Sequence, residues 1–176
     1  RLIARLIEDG STMEIGLGAT HQATLLALAD KNDLGIHSQY MTNDIMHLFS
    51  RGVITNRKKG FNEDKMVASG AIGTRELYEF LNDNPAIEFY PSDYVNDPSI
   101  IARHHKMVSM NVAMTIDLTG QVAADALPQN HFSGVTAMLD FMRGAVQSPG
   151  GKAIIMLPAT ALQGQASRIV PRLDSE

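Results

Sequence analysis

Three loops in this chain carry residue types that handle anions or polarised carbonyl groups. The first is Gly16-Leu17-Gly18, which follows a short apolar run and precedes a helix-like segment. Glycines in such a turn let the backbone approach a ligand closely, and the helix start beyond it offers free N–H groups to an anion or oxyanion. A dinucleotide fingerprint is not completed, because Gln22 and its neighbours are not glycine. The second loop closes the stretch Asp33-Leu34-Gly35-Ile36-His37-Ser38-Gln39-Tyr40, whose polar end stands where open α/β sheets place their ligands. The third is Phe132-Ser133-Gly134-Val135-Thr136-Ala137, a small-residue loop feeding the segment that starts at Met138.

Other chemistries find no anchor. His21, His37, His47, His104, His105 and His131 show no HxxxH or HxxE spacing, so they read as surface or core histidines and no metal is expected. No serine stands in a GxSxG elbow. The absence of cysteine removes thiolate nucleophiles and disulfides, and a reducing cytoplasm is the expected compartment. A formal net charge of −4 provides no basic field for nucleic acid, and the one cationic run, Arg57-Lys58-Lys59, reads as a solvated loop. No run of about 18 apolar residues is present, so no membrane span is expected.

The elements that must position these loops alternate in type. Apolar runs at Met13 to Leu17, Met66 to Ser69, Ile87 to Phe89, Met107 to Thr115 and Ala153 to Leu157 read as strands. Leu2 to Glu8, His21 to Ala29, Asp44 to Arg51, Arg75 to Asn82, Pro98 to His104 and Met138 to Val146 read as helices. Such alternation predicts an α/β fold with a mostly parallel open sheet flanked by helices. Asp97-Pro98 predicts a capped helix start with proline at the first helical position. Ser148-Pro149-Gly150-Gly151 predicts a tight turn. With 44% hydrophobic and 19% charged residues in 176, the composition is that of a folded domain and not of a disordered chain. No internal repeat or dividing linker stands out, and the start at Arg1, inside an amphipathic pattern, reads as a cut in a longer chain.

At these loops and beyond, the sequence resembles the acetyl-CoA hydrolase/transferase family, above all the 4-hydroxybutyrate, butyrate and acetate CoA-transferases. The resemblance rests jointly on Glu14-Ile15-Gly16-Leu17-Gly18-Ala19, Asp33-Leu34-Gly35-Ile36-His37, Gly52-Val53-Ile54-Thr55-Asn56, Ile87-Glu88-Phe89, Asp93-Tyr94-Val95-Asn96-Asp97-Pro98, Asp117-Leu118-Thr119-Gly120-Gln121-Val122 and Ser167-Arg168-Ile169-Val170-Pro171. It implies that residues 1–176 are a C-terminal domain of CoA-transferase (NagB/RpiA-like) fold. It also implies an absent, related N-terminal domain, an active site between the two, and a trimmed C-terminal end. Acyl-CoA and a small carboxylate are the implied substrates, and homo-oligomers are open.

In that family a glutamate attacks the acyl-CoA thioester, giving an acyl anhydride and then a glutamyl-CoA thioester. The matching residue here is Gln39, a neutral carboxamide that cannot form the same anhydride. The Asp-Gly pair usual nearby is replaced by Asn43-Asp44. The family's two backbone oxyanion donors map onto Leu17 and Ala137, and Thr136-Ala137 stands where the family has consecutive glycines. Asn96 is the matching residue for orienting the reactive side chain; on the residues alone it is equally a turn residue before Asp97. Gly16, Gly18, Gly134, Thr136 and Ala137 are the implied coenzyme A contacts. Three readings follow: an active transferase or thioesterase that tolerates Gln39, a catalytically silent CoA-binding or assembly domain, or a branch-specific or engineered replacement of the nucleophile.

Overall fold

The computed structural model describes residues 2–124 and 137–173, with the backbone of 126–127 and 130–131 between them. The chain forms two compact units, residues 1–110 with 137–154 and residues 111–136 with 155–176. Two of the three boundaries fall inside strands, β5 (Met107–Val112) and β10 (Lys152–Met156), so no glycine- or proline-rich linker marks those two in the sequence.

The first unit is built on a sheet ordered β10-β5-β1-β2-β3-β4, with β1 at Thr12–Ile15, β2 at Gly35–Met41, β3 at Met66–Ala71 and β4 at Ile87–Phe89. β1 runs parallel to both β2 and β5, β2 to β3, and β3 to β4. The chain steps outward from β1 to β4, then returns to the other side of β1 as β5. That reversal is a switch point, where open α/β sheets bind ligands outside the carboxyl ends of their strands.

Helices α1 (Ala19–Leu26), α2 (Asn43–Ser50) and α3 (Arg75–Leu81) bury Leu25, Ile45, Leu48 and Leu77. Thr42 caps α2, its Oγ1 accepting from the Ile45 N–H. The short helices α4 (Ser92–Val95) and α5 (Pro98–Ile101) and the longer α6 (Met138–Gln147) pack with Val67 and Met107 into one apolar cluster of Val95, Ile101, Phe141 and Ala145. Each of these side chains, fully buried, contributes roughly 1.5–3 kcal/mol where it is Val-, Ile- or Phe-sized. Gly144 lets α6 approach α5: a Cβ there would collide with Ile101 and stand 3.0 Å from the Pro98 carbonyl oxygen.

Asp97 caps α5 as its sequence indicates, accepting from the Ser99 N–H at 2.7 Å with Pro98 at the first helical position. The turn at Ser148 to Gly151 is present, with Gly150 at φ +72°. Leu2 to Glu8, in contrast, forms only a single 3-10 turn at Ile3–Arg5: Ala4 and Ile7 are buried, but Leu2 and Leu6 stay exposed, too little covered surface to hold a longer helix. The expected strand from Met107 to Thr115 is broken after Val112 and resumes as β6 (Thr115–Asp117).

The second unit is made of short strands: β6 pairs with β7 (Val122–Ala123) antiparallel and with β13 (Ile169–Val170) in parallel. β8 (Ala126–Leu127) and β9 (Asn130–His131) form one two-stranded ribbon, and β11 (Thr160–Ala161) and β12 (Ala166–Ser167) another. Asp117 organises its first turn, accepting from the Thr119, Gln121 and Leu173 N–H groups. Those bonds, the Leu173 backbone first and the Thr119 hydroxyl next, hold its carboxyl down at about 2.

Candidate functional site

Successive strand residues face opposite sides of a sheet, so one fixed contact assigns every neighbour. The His37 Nε2 bonds the Val95 carbonyl oxygen at 2.8 Å, and its ring lies 6.1 Å from that of Phe141, so His37 points to the face covered by α4 and α6. Gln39, two residues on, points the same way and is partly exposed. Asn96 follows Val95 directly, closing α4 with its N–H on the Ser92 carbonyl at 2.9 Å. Its Oδ1 is buried without a partner among the described residues. Ala137 caps α6 and packs against the cluster of Val95 and Phe141. Three expected positions, Gln39, Asn96 and Ala137, therefore share one face. Ala137 has φ −68°, an ordinary value, so its backbone does not require the glycine that stands in the resembled family.

Leu17 lies at the carboxyl end of β1, and its N–H has no acceptor among the described residues. Gly18, at φ +113°, needs the freedom of glycine to open α1. His21 holds this loop: Nδ1 lies 2.9 Å from the Leu17 carbonyl oxygen and Nε2 3.0 Å from that of Met110, within β5 across the switch point. Gly16, Leu17 and Gly18 line a cavity of about 320 Å³ on the α1 and α2 side, whose wall includes Asn43 and Asp44. Asn43 accepts from the Thr74 N–H at 2.9 Å and donates to the Thr74 Oγ1 at 2.7 Å. Gln39, Asn96 and Ala137 do not line that cavity. Gly134 and Thr136 lie outside the described residues.

Beneath Gln39 sits a buried titratable cluster. The His37 and His104 rings are 4.4 Å apart; burial first, and for His37 then the neighbouring Lys59, pushes His37 down to about 4. Burial, then His37 and Lys59, takes His104 down to about 2. Both rings are neutral at pH 7. Lys59, read in the sequence as part of a solvated run, is 1% exposed, with Nζ donating to the Ile36 and Lys65 carbonyl oxygens at 2.7 and 2.6 Å. Burial brings its ammonium down to about 7, against the pull of Glu88.

Sequence reasoning assigned no role to Glu14 or Ser69, and read His21 only as a surface or core histidine. Glu14 is 4% exposed within the otherwise uncharged strand β1, and accepts from the Ser109 Oγ at 2.8 Å. A carboxylate inside an apolar run was the available signal. No cluster of three metal-ligating side chains occurs among the described residues, and no helix there is long and apolar enough to cross a membrane.

The fold and the position of the site define an α/β domain that presents backbone donors and polar side chains at the carboxyl ends of a parallel sheet. The model of the acetyl-CoA hydrolase/transferase C-terminal domain matches residues 73–176, and the chain belongs to that family. It is 46% identical over 172 residues to 4-hydroxybutyrate coenzyme A transferase from Clostridium kluyveri, covering 98% of this chain and 40% of that protein. It is 40% identical to succinyl-CoA:cyclohexane-1-carboxylate CoA transferase from Geobacter metallireducens, covering 97% and 39%. Among solved structures, RipA from Yersinia pestis superposes with a TM-score of 0.89 at 43% identity, over 99% of this chain and 38% of that one. The 4-hydroxybutyrate CoA-transferase of Porphyromonas gingivalis does so with 0.88 at 41%, over 97% and 41%. This chain thus spans about 40% of the length of the curated relatives it matches.

Proposed function

We propose that residues 1–176 are the C-terminal domain of a CoA-transferase whose acyl-CoA thioester binds at the carboxyl ends of β1 and β2. CoA passes between that thioester and a small carboxylate of the acetate, butyrate or 4-hydroxybutyrate class. The observation that carries this reading is the gathering of Gln39, Asn96 and Ala137 on one face of the sheet, with the Leu17 N–H, without an acceptor among the described residues, at the carboxyl end of the adjacent strand β1.

In this reading the Leu17 and Ala137 N–H groups take the charge that develops on the thioester oxygen, a role backbone donors fill whatever their side chains. Gly16, Gly18, Gly134, Thr136 and Ala137 lie along coenzyme A, and no metal takes part. Asn96 orients the side chain at position 39. A related N-terminal domain completes the carboxylate pocket, and the whole protein works in the cytoplasm.

A second reading, a silent CoA-binding or assembly domain, is favoured by Gln39 itself, since a carboxamide cannot form an acyl anhydride. CoA exchange between acetyl-CoA and labelled acetate or butyrate separates the two, using the full-length protein with Gln39 and with Gln39→Glu. Exchange by the Gln39 form supports a working transferase with its carboxylate elsewhere. Exchange only after Gln39→Glu supports the silent domain, and exchange by neither form removes position 39 from the reaction.

A further inference from the structure

Glu14 is the one carboxylate buried in the first unit among the described residues. A buried charge is costly and is kept where something uses it. The register that sets Met13 opposite Ile36 puts Glu14 beside His37, and Glu14 is also paired across to Ser109. Glu14 therefore faces the same side as Gln39, one strand away and one side-chain repeat deeper, roughly 6–7 Å along the strand direction.

The neighbouring row is polar as well. Ser69 stands opposite Gln39, between the pairs Ser38–Ala68 and Tyr40–Gly70. The Ser69 Oγ and the Asn96 Oδ1 are both buried without partners among the described residues. Polar atoms in such positions take up ordered water or a ligand's polar groups. A carboxylate set below the rim and 4% exposed reaches a water molecule, not an acyl carbon.

We propose that Glu14 is the general base of a thioester hydrolysis at this site. The inference rests on the reading above only for the placing of the acyl-CoA thioester. Water held by the Gln39 carboxamide, the Ser69 Oγ and the Asn96 Oδ1 attacks the thioester carbonyl carbon, and its proton passes to the Glu14 carboxylate as the C–O bond forms. The oxyanion rests on the Leu17 and Ala137 N–H groups. On collapse the C–S bond breaks, and the departing thiolate takes the proton from Glu14. The products are the free acid and CoA; water is the sole co-reactant and no electrons change hands. The Ser109 Oγ hydrogen bond holds Glu14 in place. In this site Gln39 is the residue that positions water, and its carboxamide is suited to that, having both a donor and an acceptor.

The test uses the full-length protein with acetyl-CoA and butyryl-CoA in acceptor-free buffer made with 18O-water, reading free-thiol release and label in the acid, with acyl-CoA affinity measured alongside. Expected is thiol release with one 18O per acid molecule; Glu14→Gln should lower kcat by about 100-fold or more, the range of general-base catalysis. KM should hold within about threefold and the acidic limb of the pH–rate profile should disappear. Hydrolysis by Glu14→Gln within about threefold of the parent would overturn the proposal, given that lower limit for a general base. So would a parent protein that binds acyl-CoA and releases no CoA, which leaves the thioester site standing. A parent that binds no acyl-CoA overturns the functional reading and this inference together. If Glu14→Gln loses binding too, Glu14→Asp decides: retained hydrolysis supports the base, and retained binding with lost hydrolysis sinks it.

Discussion

The imidazole of His21 lies 2.9 Å from the Leu17 carbonyl oxygen and fills the space a side chain at position 16 would need: a Cβ on Gly16 would stand 2.8 Å from its Nε2. The Gly16-Leu17-Gly18 loop and its histidine brace therefore occupy complementary volumes. Gly16→Ala should displace the ring, break its two carbonyl contacts and lower stability by roughly 1–3 kcal/mol, as overpacking does. Removing the ring relieves the clash, so Gly16→Ala combined with His21→Ala should cost less than the sum of the two single changes. Urea unfolding of the four proteins measures this, and strict additivity would show that the two residues do not compete for space.

The two buried imidazoles make the first unit sensitive to acid. Their folded values, about 4 for His37 and about 2 for His104, lie below the ordinary 6.5. Above pH 6.5 neither state binds these protons and the full stability is present. As pH falls below 6.5 the unfolded chain takes up protons that the folded chain refuses, so stability is lost, by up to about 1.4 kcal/mol per pH unit for each ring. His104→Phe should roughly halve that slope between pH 6 and pH 4, read from urea midpoints. A parent protein equally stable at pH 7 and pH 5 would contradict it.

Lys59 acts at the other end of the scale. With its folded value brought from 10.5 to about 7, the folded protein releases a proton between those values that the unfolded chain still holds. Stability should rise as pH increases from 7 toward 10 and be lost as pH falls through 7. Lys59→Met keeps the length of the stem and should flatten that rise, checked by thermal unfolding at pH 7, 8 and 9. An unchanged rise would place its source in another group.

Ser148 is a smaller but cleaner case. Its Oγ donates to the His104 carbonyl oxygen at 2.6 Å and accepts the Met107 N–H at 3.0 Å, all three residues being buried. Ser148→Ala leaves a buried donor and acceptor unpaired, at a cost of about 1–3 kcal/mol. A drop in the urea midpoint measures it, and Ser148→Thr, which retains the hydroxyl, should lose less.

What could be read from the sequence depended on whether the cause lay close by in the chain. The Asp97-Pro98 cap, the Ser148 turn and the strands at Met66 and Ile87 are local, set by one cap, one turn cluster or one apolar run, and they are found where expected. Lys59 was misread because what buries it is distant: Gly35, whose missing side chain makes room for the lysine stem, and the Ile36 carbonyl that accepts its charge. Leu2 to Glu8 has a helical pattern but finds little to cover, and pattern without a surface to bury makes a short turn. For the site, strand alternation puts Gln39 on the face of His37, whereas Glu14 joins them only through the register of β1 on β2, and Asn96 only through a hydrogen bond between residues 58 apart.

Gly144 carries a consequence for how the site is aimed. Asn96 immediately precedes the cap of α5 and Ala137 is the cap of α6, so each sits at the head of one of the two helices that meet at that glycine. The notch works as the pivot of a caliper. Because the two rods touch backbone to side chain there, neither slides along the other without collision, and the spacing of their tips is gauged several residues from the tips themselves. A single methyl group added at the pivot would reset the gap between Asn96 and Ala137 while leaving both residues unchanged.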